Sequence, residues 1–447
     1  MNSRTGLSKF DSMPVSKAVI KNVIPSVVSA LMVLVYNLAD TFFIGLTGDD
    51  LQVAAVSLAT HVFMLFMTVG TLFGIGGMSV ISRSFGAGRD DYAKKVSSFC
   101  MWGSITIGAA ISALSIIFMD DLLLILGASA DTWEPTKNFL SIVMLCGPFM
   151  VAGGCFSNIL RSEGQTTKAM MGMLVGNITN VILDPIMILG LGWGIEGAAI
   201  ATVIGSMVGL TYYIVYFLRA KSRLSVSPRD FSMGDGVAAS VFAIGSPAAL
   251  GPFFMSLSQI TMNRLMAGYD DLAIAAAGVA VKSIMVIGML SIGFSQGIMP
   301  LLGYCVGAKN WTRYKEILKF SVMSSTVLCL AMTALCYISN DALIGTFLTE
   351  YRSFEYGIRF AKILLSTAFM SGAFFSMISA IQAMGASIPA LILNLCRQGF
   401  IYIPALFALR ALLGVYGLIW AQPVSDVLSL TLAVVLHAHA FKKLKMS

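Results

Sequence analysis

Residues 25–45 read PSVVSALMVLVYNLADTFFIG, a run of 21 residues interrupted by one acid, Asp40. About 20 mostly apolar residues are enough for a helix to cross the hydrocarbon core of a bilayer. The stretch therefore reads as a membrane-spanning helix with a carboxyl group inside it. Similar runs recur along the whole chain. We expect twelve spans, near 19–45, 53–81, 97–118, 138–160, 169–190, 196–218, 237–266, 274–302, 320–338, 358–382, 389–409 and 414–440. The fold class is thus an all-α integral membrane protein.

Composition agrees with this reading. Apolar residues make up 57% of the 447 and charged residues only 11%, with a mean hydropathy of +0.84. A soluble domain carries roughly twice that charged fraction. Residues 1–17 are polar and end in Lys17, with no apolar run and no cleavage site, so a removed signal peptide is not expected. The net charge of +7 is distributed by loop. Arg4, Lys9, Lys17 and Lys21 open the chain, and basic groups follow at Arg83–Lys95, at Arg219–Arg229, at Lys309–Lys319 and at Lys442–Lys445. The intervening loops carry Asp49 and Asp50, Asp120 and Asp121, Asp131 and Glu134, Asp270 and Asp271, and Glu350 and Glu355. Lysine and arginine collect in short cytoplasmic loops. A multi-pass protein of the cell membrane with both termini cytoplasmic satisfies nearly every loop, Arg410 being the plainest exception. The charge is topological and gives no reason to expect a nucleic-acid partner. The seven cysteines fall within or beside apolar runs, in no disulfide or metal pattern.

The chain is also duplicated. Gly86-Ala87-Gly88-Arg89 is answered by Gly307-Ala308-Lys309, and the fourth spans end in Gly164 and Gly385. Gly194-Ile195-Glu196-Gly197 with Ala201 is answered by Gly414-Val415-Tyr416-Gly417 with Ala421, and Pro25 by Pro247. The separation stays near 220 throughout. Each half, 1–225 and 226–447, then holds six spans, with 219–236 as the linker. Because six is even, both halves enter the membrane from the same face. That is the parallel repeat of many transporters, with substrate expected between the halves. A duplicated chain has less need of a partner, which favours a monomer.

Three stretches carry a resemblance to a known family. They are Pro25 with Tyr36-Asn37-Leu38-Ala39-Asp40-Thr41-Phe42-Phe43-Ile44-Gly45, the loop Ser84-Phe85-Gly86-Ala87-Gly88, and Asn177-Ile178-Thr179-Asn180-Val181-Ile182-Leu183-Asp184-Pro185. Together they resemble the multidrug and toxic compound extrusion (MATE) family, in its prokaryotic DinF/MepA-like branch. The resemblance implies two six-helix lobes in a V shape and cation-driven antiport that exports organic, often cationic compounds. Some branches carry an acid in the seventh helix. Here that helix reads Ser256-Leu257-Ser258-Gln259-Ile260-Thr261-Met262-Asn263, with Asn263 roughly answering Asp40, which puts a cation site in the second half in doubt.

The residues themselves point to where chemistry sits. A charged side chain at mid-membrane depth costs about 2.5–3.5 kcal/mol or more and marks a functional position by default. Asp40 and Asp184 each lie five or six residues from the outer end of their helix, roughly 8 Å below the surface; Thr202 lies at similar depth. Asn177, Asn180 and Asp184 share one helical face, as do Tyr36 and Asp40. Pro185 removes a backbone donor beside that face. Two nearby carboxylates cannot both carry charge cheaply, so the group suits a proton or a small hard cation such as Na⁺, and no other cofactor. The resemblance implies the same cation site, at Asp40, Asn180, Asp184 and Thr202. Tyr36, Asn37, Asn177, Gln259, Asn263, Lys282, Arg397 and Asp426 are candidates for the substrate cavity, the last three also for a charge network. Pro25 is the candidate hinge, because a proline leaves a helix one bond short. Arg264 and Lys362 are expected to reach the interface with their long side chains, and His437 and His439 sit at the edge of the tail. The 28 methionines and 28 phenylalanines suit a cavity that repacks around varied ligands, though both are ordinary membrane residues.

No GxxxxGK[ST] or HExxH motif is present, and the one GxSxG match, Gly293-Phe294-Ser295-Gln296-Gly297, lies inside an apolar run and not at the strand-to-helix turn that a nucleophilic serine needs, which removes the obvious support for an ATP-driven pump or an intramembrane enzyme. A channel would fit short chains in symmetric rings better than a long duplication. The alternative transporter is a lipid-linked oligosaccharide flippase of the related superfamily. It calls for a larger cationic cavity, for which Lys282 and Arg397 are the only deep candidates.

Overall fold

A computed structural model describes residues 12–219, 222–269, 271–348 and 350–446. Arg4, Lys9, Lys221 and Asp270 of the charge pattern lie outside them. Among the described residues there is no strand, as a bilayer requires of a chain that satisfies its backbone within each span. All twelve expected spans are present. They are α1 (Val15–Gly45), α2 (Asp50–Gly86), α3 (Asp90–Ile117), α4 (Ala130–Ser162), α5 (Thr166–Gly190) and α6 (Gly194–Arg219). The second six are α7 (Val237–Met266), α8 (Asp271–Gly307), α9 (Trp311–Ile338), α10 (Tyr351–Ala368 with Met370–Ala383), α11 (Ser387–Leu413) and α12 (Val415–Met446). Eleven are long and apolar enough to cross alone, and the two pieces of α10, bent by 44° at Phe369, make the twelfth. The last helix runs on to Met446, past the expected end at 440, so His437 and His439 lie inside it and not at its edge.

The duplication is visible in the backbone. After α2 the chain turns at Gly88 with φ +70°, and after α8 at Lys309 with φ +53°. In both turns the amide three past the helix end reaches back across it, Arg89 N to Ser84 O at 2.9 Å and Asn310 N to Cys305 O at 2.9 Å. Such a left-handed closing residue is usually glycine, yet the second copy holds a lysine there. The turns after α4 and α10 match as well, at Gly164 (φ +81°) and Gly385 (φ +75°).

The chain divides into two compact units, Val28–Gly245 and residues 12–27 with 246–446. It passes from one unit to the other inside α1, between Val27 and Val28, and inside α7, between Gly245 and Ser246. Pro25 and Pro247 stand within three residues of those points. The first unit packs around Phe66, Phe139, Leu140, Val143 and Met144, all close to fully buried. The second packs around Phe360, Leu406, Leu418 and Ile419. Lipid is as apolar as these side chains, so shape complementarity rather than removal from water holds such helices together. In the first unit the linker is tied down by polar contacts. Arg223 forms a two-pronged ion pair with Asp90, and its backbone N–H donates to Glu163 at 2.7 Å. Burial pushes the Glu163 carboxyl above its ordinary range, with that N–H and the Ser222 hydroxyl opposing the shift.

Candidate cation site in the first unit

The site begins with a close helix crossing. α5 carries Gly172 and Gly176, and α6 carries Gly205 and Gly209. A Cβ added at Gly176 would stand 2.9 Å from the Gly205 carbonyl oxygen, and one at Gly205 would stand 2.8 Å from that of Gly176. Small residues at such spacing let two backbones touch. Because they touch, Asn180, one turn beyond Gly176, reaches across to Thr202. Its side-chain amide donates to Thr202 Oγ1 and to Asp184 Oδ1, each at 3.3 Å. Asn180, Asp184 and Thr202 are all buried, at 3%, 0% and 6% exposure. Past Pro185, which lacks a backbone donor, the helix widens into a π turn over Ile186–Gly190. The outer end of α6 is fixed by Gln52 of α2, whose side-chain oxygen accepts from Ile195 N at 2.9 Å.

α1 completes the group. Tyr36 and Asp40 of α1 lie beside Thr202 and Asp184, near enough for the two carboxyl charges to interact. Of the expected group, hydrogen bonds join Asn180 to Asp184 and Thr202, with Tyr36 and Asp40 of α1 beside them, and the Asn177 amide bonds to none of these. What the group lacks is positive charge. Among the described residues no lysine, arginine or histidine pairs with Asp40 or Asp184. Asp40 Oδ1, Asn180 Oδ1 and Asp184 Oδ2 are buried without any hydrogen-bond partner, as is the Asn177 amide nitrogen. A buried carboxylate oxygen without a partner is costly, and it is the kind of acceptor that a proton or an oxygen-seeking cation can meet.

The remaining candidates fall elsewhere. Asn37 is exposed. Gln259 and Asn263 are exposed on α7 and bond to each other at 3.2 Å. Counting from Pro25 and Pro247, the position answering Asp40 is Met262, which is buried and whose sulfur accepts from Tyr402 Oη at 3.1 Å. Arg397 and Asp426 do form a charge network: an ion pair at 3.2 Å, with Gln422 and Thr367 also donating to Asp426. Lys282 does not join it; it is exposed and lies over the Phe347 ring at 5.3 Å. Lys362 lies over the Tyr337 ring at 5.9 Å. Pro25 is buried within an unbroken α1. The sequence reading missed the glycine pair Gly176 and Gly205 and the cap from Gln52. The small-residue spacing was a signal for the first; nothing local signals the second.

Comparison with known proteins adds an independent line. The MatE family model matches twice, over residues 25–186 and 247–407, once in each half of the duplication. The chain is 30% identical over 419 residues to the multidrug export protein MepA of Staphylococcus aureus, covering 94% of this chain and 92% of that one. It is 28% identical over 421 residues to MepA of Staphylococcus saprophyticus, with the same coverage. A solved structure described as the outward-facing conformation of a multidrug resistance MATE family transporter of the MOP superfamily superposes with a TM-score of 0.94. That match is 21% identical and covers 100% of both chains.

Proposed function

This chain belongs to the MATE family, and from that premise we propose that it exports organic, often cationic compounds in exchange for H⁺ or Na⁺. It is a multi-pass membrane transporter and not an enzyme. The specific reading rests on one observation: three buried oxygens, on Asp40, Asn180 and Asp184, have no partner. A cation entering there supplies the missing charge and draws α1 towards α5 and α6. Two carboxylates and an amide oxygen, with the Thr202 and Tyr36 hydroxyls beside them, offer a hard cation the oxygen donors it prefers. A proton can instead settle on either acid.

Exchange follows if the cation and the substrate favour different conformations, since a ligand shifts an equilibrium only by its differential affinity. Filling the site favours the state that releases substrate, and emptying it favours the state that accepts substrate. The proposed hinge is Pro25, three residues before the point where α1 passes between units. The two halves, 1–225 and 226–447, are proposed as the moving lobes. The alternating loop charge supports a cell-membrane protein with both termini in the cytoplasm.

The test is transport by proteoliposomes with the pH and Na⁺ gradients imposed separately. Wild-type protein should drive efflux with one of them. Asp40→Asn should lose that drive while still binding substrate, and full gradient-driven efflux in that variant would overturn the mechanism.

A further inference from the structure

We infer that a groove on the second unit holds one anionic phospholipid, its headgroup on Lys315 and Lys319 and an acyl chain along α9. The groove has a volume of about 600 Å³ between α9, α10 and α12. On α9 it exposes Lys315, Lys319, Met323 and Val327, spaced four residues apart so that they form one stripe. Met377 of α10 and Phe441 of α12 line it from the other helices.

The stripe has two chemically different ends. At one end stand two exposed lysines, and neither has an acidic partner among the described residues. Glu316, between them in sequence, does not line the groove. Lys315 Nζ lies 5.5 Å from the centre of the Phe441 ring, and the Tyr314 hydroxyl and His437 Nε2 are hydrogen-bonded at 3.0 Å beside it. Along the rest, Met323 and Val327 are 59% and 61% exposed. From Lys315 to Val327 the helix rises roughly 18 Å, close to the depth of one leaflet of a hydrocarbon core about 30 Å thick.

Charge decides the occupant. Any lipid can wet an apolar flank, but paired cations at one end of a leaflet-deep groove select a phosphate that brings no compensating positive charge. Phosphatidylglycerol meets that condition; phosphatidylcholine, whose headgroup is neutral overall, does not. The lysine stems can lie along the apolar wall while the ammonium groups stay at the polar boundary.

The experiment is native mass spectrometry of the full-length protein titrated with phosphatidylglycerol or phosphatidylcholine of equal chain length. Phosphatidylglycerol should bind one site more tightly by on the order of ten- to thirty-fold, about five-fold for each lysine. Lys315→Gln with Lys319→Gln should bring the two lipids to parity. Lys442→Gln with Lys443→Gln, at the same end of the unit but off the groove, should leave the preference in place. Dihexanoyl phosphatidylglycerol, too short to fill the groove, should bind on the order of ten-fold more weakly. An unchanged preference in the first variant, its loss only in the second, or equal binding of the short lipid would each overturn the proposal.

Discussion

Two helix crossings, α5 with α6 and α11 with α12, occupy the same place in the duplicated chain and treat charge in opposite ways. In the first half Gly176 meets Gly205 backbone to backbone. Their counterparts, 221 and 220 positions on, are Arg397 and Ser425, where the serine hydroxyl donates to the arginine carbonyl at 2.5 Å. Asp184 is answered by Ala405 and Thr202 by Gln422. The second half thus has its own acid, Asp426, one residue past Ser425, and supplies that acid with an internal cation. Arg397 holds it, Gln422 and Thr367 donate to it, and the Phe374 ring lies 4.5 Å from the guanidinium. A π turn accompanies each charged group, after Asp184 in one half and around Arg397 in the other. One scaffold therefore holds acids without a basic partner in one half and an acid with its own arginine in the other. An acid already paired with arginine can take up a free cation only by giving up that partner.

The largest effect should come from setting the acids of the two halves against each other. Asp184→Asn should lower cation-driven efflux by about 5- to 150-fold, the usual range of a coupling free energy of 1–3 kcal/mol. Asp426→Asn should leave the dependence on the driving cation unchanged, whatever it does to substrate preference. The measurement is efflux from proteoliposomes at a series of imposed gradients. Loss of coupling in Asp426→Asn, with coupling kept in Asp184→Asn, would reverse the comparison.

The next effect is on stability. Removing one member of a buried ion pair leaves the other charge stranded, at a cost on the order of 3 kcal/mol. Arg397→Gln should therefore lower the melting temperature in detergent by several degrees. Adding Asp426→Asn should recover most of the loss, since the stranded charge is then gone. In the first half the sign is opposite: Asp184→Asn removes an acid that has no cation, so it should raise the melting temperature or leave it unchanged.

A smaller effect sharpens the comparison at the crossing itself. A methyl at Gly205 would press on the Gly176 carbonyl and stand 3.0 Å from Asn180 Cβ. Gly205→Ala should cost about 1–3 kcal/mol by overpacking and weaken cation dependence, because Asn180 is the residue displaced. Ser425→Ala, its counterpart, removes one hydrogen bond worth about 1 kcal/mol and should leave cation dependence alone. Equal loss of cation dependence in both variants would mean that the crossings serve only packing.

Much of this was legible in the chain. Twelve apolar runs gave the helices, and recurring glycine turns gave the duplication, because both are local patterns. The acids on α1 and α5 were legible from depth and helical face. The partners of the other charges were not. Lys282, Arg397 and Asp426 look alike as isolated charges in apolar runs, and only the structure pairs two of them and leaves the third outside. Asn263 stands one position past the counterpart of Asp40, which by the spacing of Pro25 and Pro247 is the buried Met262. The fixing of α6 by Gln52, 143 positions away, leaves no trace in local sequence.

The smallest effect concerns Lys282, and it tests whether Arg397 alone neutralises the second half. Lys282 sits in α8, within an apolar stretch that would place a charge in the membrane. Its side chain is exposed, and its one described contact is the Phe347 ring. A cation–π contact at an exposed site is worth about 0.5–1 kcal/mol, and surface substitutions usually stay within about 0.5 kcal/mol. Lys282→Gln should therefore shift the melting temperature by no more than a degree or two, and by the same amount in the Asp426→Asn background. If the shift instead depends on whether Asp426 is present, the lysine shares that charge. The second half would then hold two cations for one acid, and the contrast with the uncompensated acids of α1 and α5 would be sharper still.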